Sequence, residues 1–221
     1  MAFGADAPLR VGVLASGAGT NLQALLDTVH GDEAVVVAVA ADKPAAGALR
    51  RARGAGVDTA VFPIGDYPDR GERDSAIADW LVAHDVQLVV LAGYMALLTS
   101  PFLSRFPEAV VNIHPSLLPA FAGVRAIEQA IDYGVKVFGV TVHFVLDDGG
   151  VDTGPVIVQG AVELANATDP GAVHEALRPL EHALLPEAVR LIARGALARD
   201  PHNPRRILVA AGDAPARSRP A

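Results

Sequence analysis

Asn112, Ile113 and His114 are followed at once by Pro115 and, after three more residues, by Pro119. At i and i+2 on a strand, the amide and the imidazole point to the same side and reach one point in space. Pro115 ends the strand because it has no N–H to give to the ladder. The flanking Val110, Val111 and Ile113 mark that strand as buried. An amide donor beside a proton-carrying ring, at the carboxyl end of such a strand, suits an acyl transfer. One group holds a developing oxyanion while the other manages a proton. A histidine at a strand end is more often structural, so the chemical reading rests on the pair and its fixed turn together.

Other residues offer chemistry at a distance. Gly17-Ala18-Gly19-Thr20-Asn21 is a glycine-rich turn opening a helix, where free N–H groups bind an anion such as phosphate. Leu22 stands where a dinucleotide fingerprint has its third glycine, although Asp42, after the second strand, is placed as a ribose-binding acid would be. Turn chemistry alone also accounts for the glycines. Asp147, Asp148 and Asp152 lie in a glycine-rich loop after His143, which reads as a solvated turn. One buried carboxylate from it would favour the charged form of a nearby imidazole. No His-x-His or His-Glu-x-x-His spacing is present, so no metal site is expected. Arg70 and the Glu181-His182 pair read as surface charge when taken alone.

The elements that must hold these groups follow from the hydrophobic pattern. Strands are expected at Leu9–Ala15, Ala34–Ala41, Val57–Phe62, Val86–Ala92 and Ala109–Ile113, with helices at Asn21–Val29, Ala45–Gly54 and Arg70–His84 between them. That alternation predicts a Rossmann-like α/β fold with a mostly parallel sheet and flanking helices. Beyond a short helix at Ala126–Tyr133, the runs Val135–Val145 and Pro155–Val162 predict an antiparallel extension within residues 135–162. A long helix at Asp169–Arg194 is expected to kink or divide at Pro179 and Pro186. One domain over residues 1–200 is expected, with a partly disordered tail over 201–221.

Composition narrows the partners. Of 221 residues, 51% are apolar and 19% charged, enough apolar surface for a large core. A net charge of −7 argues against a nucleic-acid substrate. No cysteine is available for disulfides, thiolate catalysis or metal ligation. Neither a signal peptide nor an 18-residue apolar run is present, which points to a cytoplasmic protein without a membrane partner.

Six segments in order resemble the phosphoribosylglycinamide formyltransferase family, folate-dependent enzymes of purine synthesis. They are Ser16–Gln23, Leu91–Leu98, Asn112–Pro119, Thr141–Val145, Val151–Pro155 and Glu181-His182. The resemblance implies that Asn112, His114 and Asp152 are catalytic, and that Gly19, Thr20, Asn21 and Glu181 bind glycinamide ribonucleotide. It implies that Arg70, Met95, Ala96, Leu97, Leu98 and Asn112 face 10-formyltetrahydrofolate, a co-substrate, with no metal and no NAD. Small molecules are then the partners, and a homodimer stays open. The stretch from His143 to Asp152 is about two residues longer than is usual in that family, so Asp148 competes with Asp152 for the acid's role. Phe121-Ala122-Gly123 replaces the usual aromatic-Pro-Gly, and Arg125 a common histidine. Methionyl-tRNA formyltransferase and formyltetrahydrofolate hydrolase are similar in chemistry, but their additional domains are not expected here. A nucleotide-sensing or NAD-binding module is the reading from a different class, and it would leave Asn112, His114 and Asp152 idle.

Overall fold

The computed structural model describes residues 7–213. Its strands are β1 (Leu9–Ala15), β2 (Ala34–Ala41), β3 (Asp58–Val61), β4 (Leu88–Leu91), β5 (Val110–His114), β6 (Val137–Phe144), β7 (Val156–Glu163), β8 (Leu197–Asp200) and β9 (Asn203–Val209). The helices are α1 (Thr20–Thr28), α2 (Gly47–Gly54), α3 (Arg70–Ala83), α4 (Ser100–Leu103), α5 (Ala126–Tyr133) and α6 (Pro170–Ala193). The sheet order is β3-β2-β1-β4-β5-β6-β7-β9-β8. Strands β3 to β5 are parallel, and β6 and β7 add antiparallel.

The strands read as buried runs because both faces of the sheet are covered. On β1, Val11 and Val13 enter the core beneath α1, α2 and α6, while Leu14 joins the opposite core with Ile77 and Leu81 of α3. On β5, Val111 and Ile113 enter the first core and Val110 the second, so Asn112 and His114 lie on the side of Val110. Helix α3 starts where Asp69 accepts from Glu72 N at 3.0 Å, and α6 where Asp169 accepts from Gly171 N and Ala172 N, with Pro170 at the first helical position.

Two expectations are corrected. Helix α6 is not divided at Pro179 and Pro186 and forms one 24-residue element. Each proline removes one donor, from the carbonyls of Glu175 and His182, and burial of Val173, Leu177, Leu185, Val189 and Ile192 on one stripe outweighs that loss. The segment expected as a tail from residue 201 contains β9, which pairs antiparallel with β8 and touches β7 through Val156 and Arg206. Of the remainder, residues 214–221 lie outside the described residues. The short α4, with Pro101 in its first turn, has no counterpart among the expected elements.

Sheet order reverses between β1 and β4, because the chain leaves β1 toward β2 and β4 toward β5. Loops leaving the carboxyl ends of two such strands diverge, and the gap is where open α/β sheets bind ligands.

Candidate active site

A cleft of about 990 Å³ opens at this reversal. Its lining takes Ser16–Asn21 from the β1–α1 loop, Met95–Leu98 from the loop after β4, and Asn112 and His114 from β5. His143 of β6, Lys43 after β2, Gly123–Glu128 at the start of α5, Gly150–Gly154 of the long loop, and His174, Arg178 and Glu181 of α6 also line it.

One end is built from backbone. Gly19 caps α1 with φ 74°, and no side chain caps the helix, so its first N–H groups remain open to the cleft. The left-handed conformation and tight packing both call for glycine. A Cβ here would stand 2.6 Å from Ala48 Cα. The Asn21 amide donates to Glu181 Oε2 at 3.0 Å, across 160 residues of sequence. Asn21 thus orients the buried Glu181, and its own Oδ1 has no partner among the described residues. His174 Nε2 lies 3.8 Å from the other Glu181 oxygen.

The other end displays an apolar rim, with Met95 and Leu97 more than half exposed. Ser16 joins the two ends. Its N–H donates to Gly93 O at 3.1 Å and its Oγ accepts from Met95 N at 3.0 Å. Arg70 begins α3, exposed and outside the cleft lining, with its charge felt at Tyr94 next to Met95.

Between the ends lies a side-chain network centred on Asp152. Its Oδ2 accepts from Gly123 N at 2.8 Å and faces His114 Nδ1 at 3.3 Å. Its Oδ1 faces Asn112 Nδ2 at 3.3 Å and His143 Nε2 at 3.4 Å. Burial by itself would push the Asp152 carboxyl up. The hydrogen bonds from His143 and Gly123 and the positive potential of the two imidazoles outweigh it and hold the group at about 2. His114 Nε2 meets Phe121 O at 2.9 Å, so both ring nitrogens face acceptors, and a ring carrying both protons satisfies both. Asp152, Phe121 and Arg125 all hold positive φ, at 54°, 53° and 59°. Left-handed non-glycine residues of this kind gather where surrounding contacts over-determine the backbone.

Asp148 is elsewhere. It accepts from Gly150 N at 3.0 Å and from Thr153 Oγ1 at 2.9 Å, and those two bonds hold its carboxyl below the usual range. It is exposed, closes its own turn and does not line the cleft. Arg205 of β9 donates to Thr153 O at 2.6 Å, bracing the loop directly after Asp152.

His143 is a member of the network that local sequence reasoning left unplaced. It lies directly across from Asn112 in the β5–β6 ladder, as Thr141 lies across from His114. Period-two alternation puts Thr141 and His143 on one face, but only the antiparallel register carries His143 to Asn112. Thr141 donates to Ser116 O at 2.7 Å and accepts from Leu118 N at 3.1 Å, fixing the turn after His114. Among the described residues, no group of three or more His, Cys, Asp or Glu side chains is disposed to hold a metal ion. No helix among them is long and apolar enough to cross a membrane.

A switch-point cleft that combines an anion-binding helix start with an amide, imidazole and carboxylate cluster defines a group-transfer enzyme, and comparison with known proteins specifies which. The formyl transferase family model matches residues 9–189, and the chain belongs to that family, in its phosphoribosylglycinamide formyltransferase branch. It is 44% identical over 189 residues to phosphoribosylglycinamide formyltransferase of Mycobacterium tuberculosis strain H37Rv, covering 85% of this chain and 86% of that one. It is 40% identical over 190 residues to the trifunctional purine biosynthetic protein adenosine-3 of Bos taurus, which spans 85% of this chain and 19% of the bovine protein. A crystal structure of glycinamide ribonucleotide transformylase 1 from Symbiobacterium toebii superposes with a TM-score of 0.85 at 44% identity, covering 92% of this chain and 94% of that one.

Proposed function

We infer that this chain transfers the formyl group of 10-formyltetrahydrofolate to the amine of glycinamide ribonucleotide in purine synthesis. One observation carries the reading: the Asn112, His114 and Asp152 cluster lies between an open helix N-terminus and an apolar rim within a single cleft. The helix start with Glu181 suits the phosphate and the polar body of the ribonucleotide. The rim at Met95–Leu98 suits the flat ring system of the folate.

The roles follow from chemistry. The glycinamide amine attacks the formyl carbon, the carbonyl π pair moves to oxygen, and a tetrahedral intermediate forms. Asn112 and His114 are the donors to that oxyanion, His114 through Nε2 once the oxyanion takes the place of the Phe121 carbonyl, each such donor being worth roughly 3 kcal/mol of barrier. The 3.3 Å contacts of the Asn112 amide are long, so a charged acceptor displaces them readily. Asp152 keeps the His114 ring oriented and balances its charge. Collapse of the intermediate breaks the bond from the formyl carbon to the folate nitrogen, and the proton lost by the amine is delivered to that nitrogen. The exchange moves an acyl group between two nitrogens with no net oxidation, so it calls for neither NAD nor another redox cofactor. The substrates are small molecules and the acidic surface does not attract nucleic acid, consistent with a cytoplasmic enzyme working alone or as a homodimer.

The test is the absorbance change on mixing protein, 10-formyltetrahydrofolate and glycinamide ribonucleotide. Turnover that requires both substrates is expected, and hydrolysis of the folate at the same rate without ribonucleotide would sink the reading.

A further inference from the structure

The loop assigned to the ribonucleotide phosphate contains no charge of its own, since Gly17, Ala18, Gly19, Thr20 and Asn21 are all neutral. Its rigidity comes from α2, packed behind it. Ala48 N donates to Gly17 O at 3.2 Å, and a Cβ on Gly47 would stand 3.0 Å from Ala18 O. From the same helix the half-buried Arg51 donates Nε to Ala18 O at 2.9 Å and Nη1 to Gln23 Oε1 at 3.0 Å. Gln23 in turn donates to Asp27 at 2.8 Å, so a single guanidinium ties the centre of the loop to the first two turns of α1. Neighbouring arginines do not share the task. Arg50 is exposed and Arg53 donates to Thr59 at 3.1 Å.

The carbonyl of Ala18 and the N–H of Gly19 are the two ends of one peptide unit. A cationic donor on that oxygen polarises the unit and makes the N–H a better donor to an anion. Both acceptors of Arg51 are neutral, so no contacting carboxylate cancels its charge on that side. We propose that Arg51 is a positioning residue for phosphate recognition, acting through the Ala18–Gly19 peptide without lining the cleft itself. The proposal rests on the reading of the cleft as a ribonucleotide site.

The experiment compares kcat/KM for glycinamide ribonucleotide with that for the dephosphorylated glycinamide riboside, in the wild type, Arg51→Met and Arg51→Lys. The ratio of the two substrates isolates the phosphate. It is expected to fall about 10- to 100-fold in Arg51→Met, the scale of one lost charge-assisted hydrogen bond acting on a charged ligand. Arg51→Lys keeps a charge but not the fork, and its ratio is expected to fall between the other two. A loss carried equally by both substrates would mean that Arg51 only supports the fold, and it would overturn the proposal. If Arg51→Met does not fold, Arg51→Lys decides, and an unchanged ratio there also overturns it. Failure of the underlying reading looks different: the wild type itself would then turn over neither substrate, or would show no preference for the phosphorylated one.

Discussion

The parallel strands β1 to β4 and the antiparallel pair β6 and β7 bring different material to one cleft. The parallel half offers backbone: the open start of α1, a left-handed Gly19 and a loop locked against α2. The antiparallel pair and its connecting loop offer side chains, His143 and Asp152, which meet Asn112 and His114 from β5 across 31 to 40 residues of sequence. The first kind of site holds a ligand with main-chain groups, and side chains such as Arg51 act on it from behind. The second performs chemistry through a few atoms whose removal is felt directly. The division teaches that binding and turnover should respond to different mutations, and four measurements test it.

The largest effect is expected from Asp152→Asn, which removes the charge that faces both imidazoles. A fall in kcat of about 10³-fold or more is expected, as when a carboxylate that orients a catalytic imidazole is neutralised, with ribonucleotide affinity nearly unchanged. Asn112→Ala and His114→Ala belong to the same class. Asp148→Asn should be mild, and if it proves the crippling change while Asp152→Asn does not, the acid has been assigned to the wrong end of the loop.

His143→Ala comes next. A 10- to 100-fold fall in kcat, about 1.4 to 3 kcal/mol, is expected, because Asp152 keeps its bonds to Gly123 and His114. A kcat within twofold of wild type would reduce His143 to a packing residue.

Gly19→Ala should act on the opposite half. The added Cβ at φ 74° and 2.6 Å from Ala48 Cα calls for a backbone shift, with a loss of about 1–3 kcal/mol in stability by denaturant titration. A raised KM for the ribonucleotide is expected to exceed any change in KM for the folate. Equal changes in both constants would blur the comparison.

The smallest effect concerns pH. The folded Asp152 carboxyl, at about 2, lies below its ordinary value of 3.8. The stability it confers is therefore complete above about pH 4 and is lost as pH falls toward 2. Asp152→Asn should flatten that part of the acid-stability curve, and an unchanged slope would show that the carboxylate is not held as the contacts imply.

Legibility in the sequence followed the same division. The strand-loop-helix at Leu9 to Thr28 and the Asn112-x-His114 pair are local patterns, and their periods and turn residues specify them. Register between β5 and β6 is a long-range property, which is why His143 was seen on its strand yet not joined to Asn112. The choice between Asp148 and Asp152 was not legible either, because it depends on which carboxylate the turn consumes through Gly150 and Thr153. Helix α6 shows the reverse error. Two prolines predict a kink or a division locally, and a buried stripe over 24 residues keeps the helix undivided. Strand β9 was missed for a related reason, since its Arg- and Pro-containing sequence has no alternating apolar pattern to announce a paired edge.

The bond from Arg205 to the Thr153 carbonyl spans 52 residues and links β9 to the loop that carries Asp152. Synthesis runs from the amino end, so the phosphate loop, the Asn112-x-His114 strand and the acid itself all leave the ribosome before their brace. A chain shortened before residue 203 would lose Arg205, and the carbonyl of Thr153 would lose its donor from β9. The support of the acid loop thus lies in a segment remote in sequence from every residue that performs the chemistry.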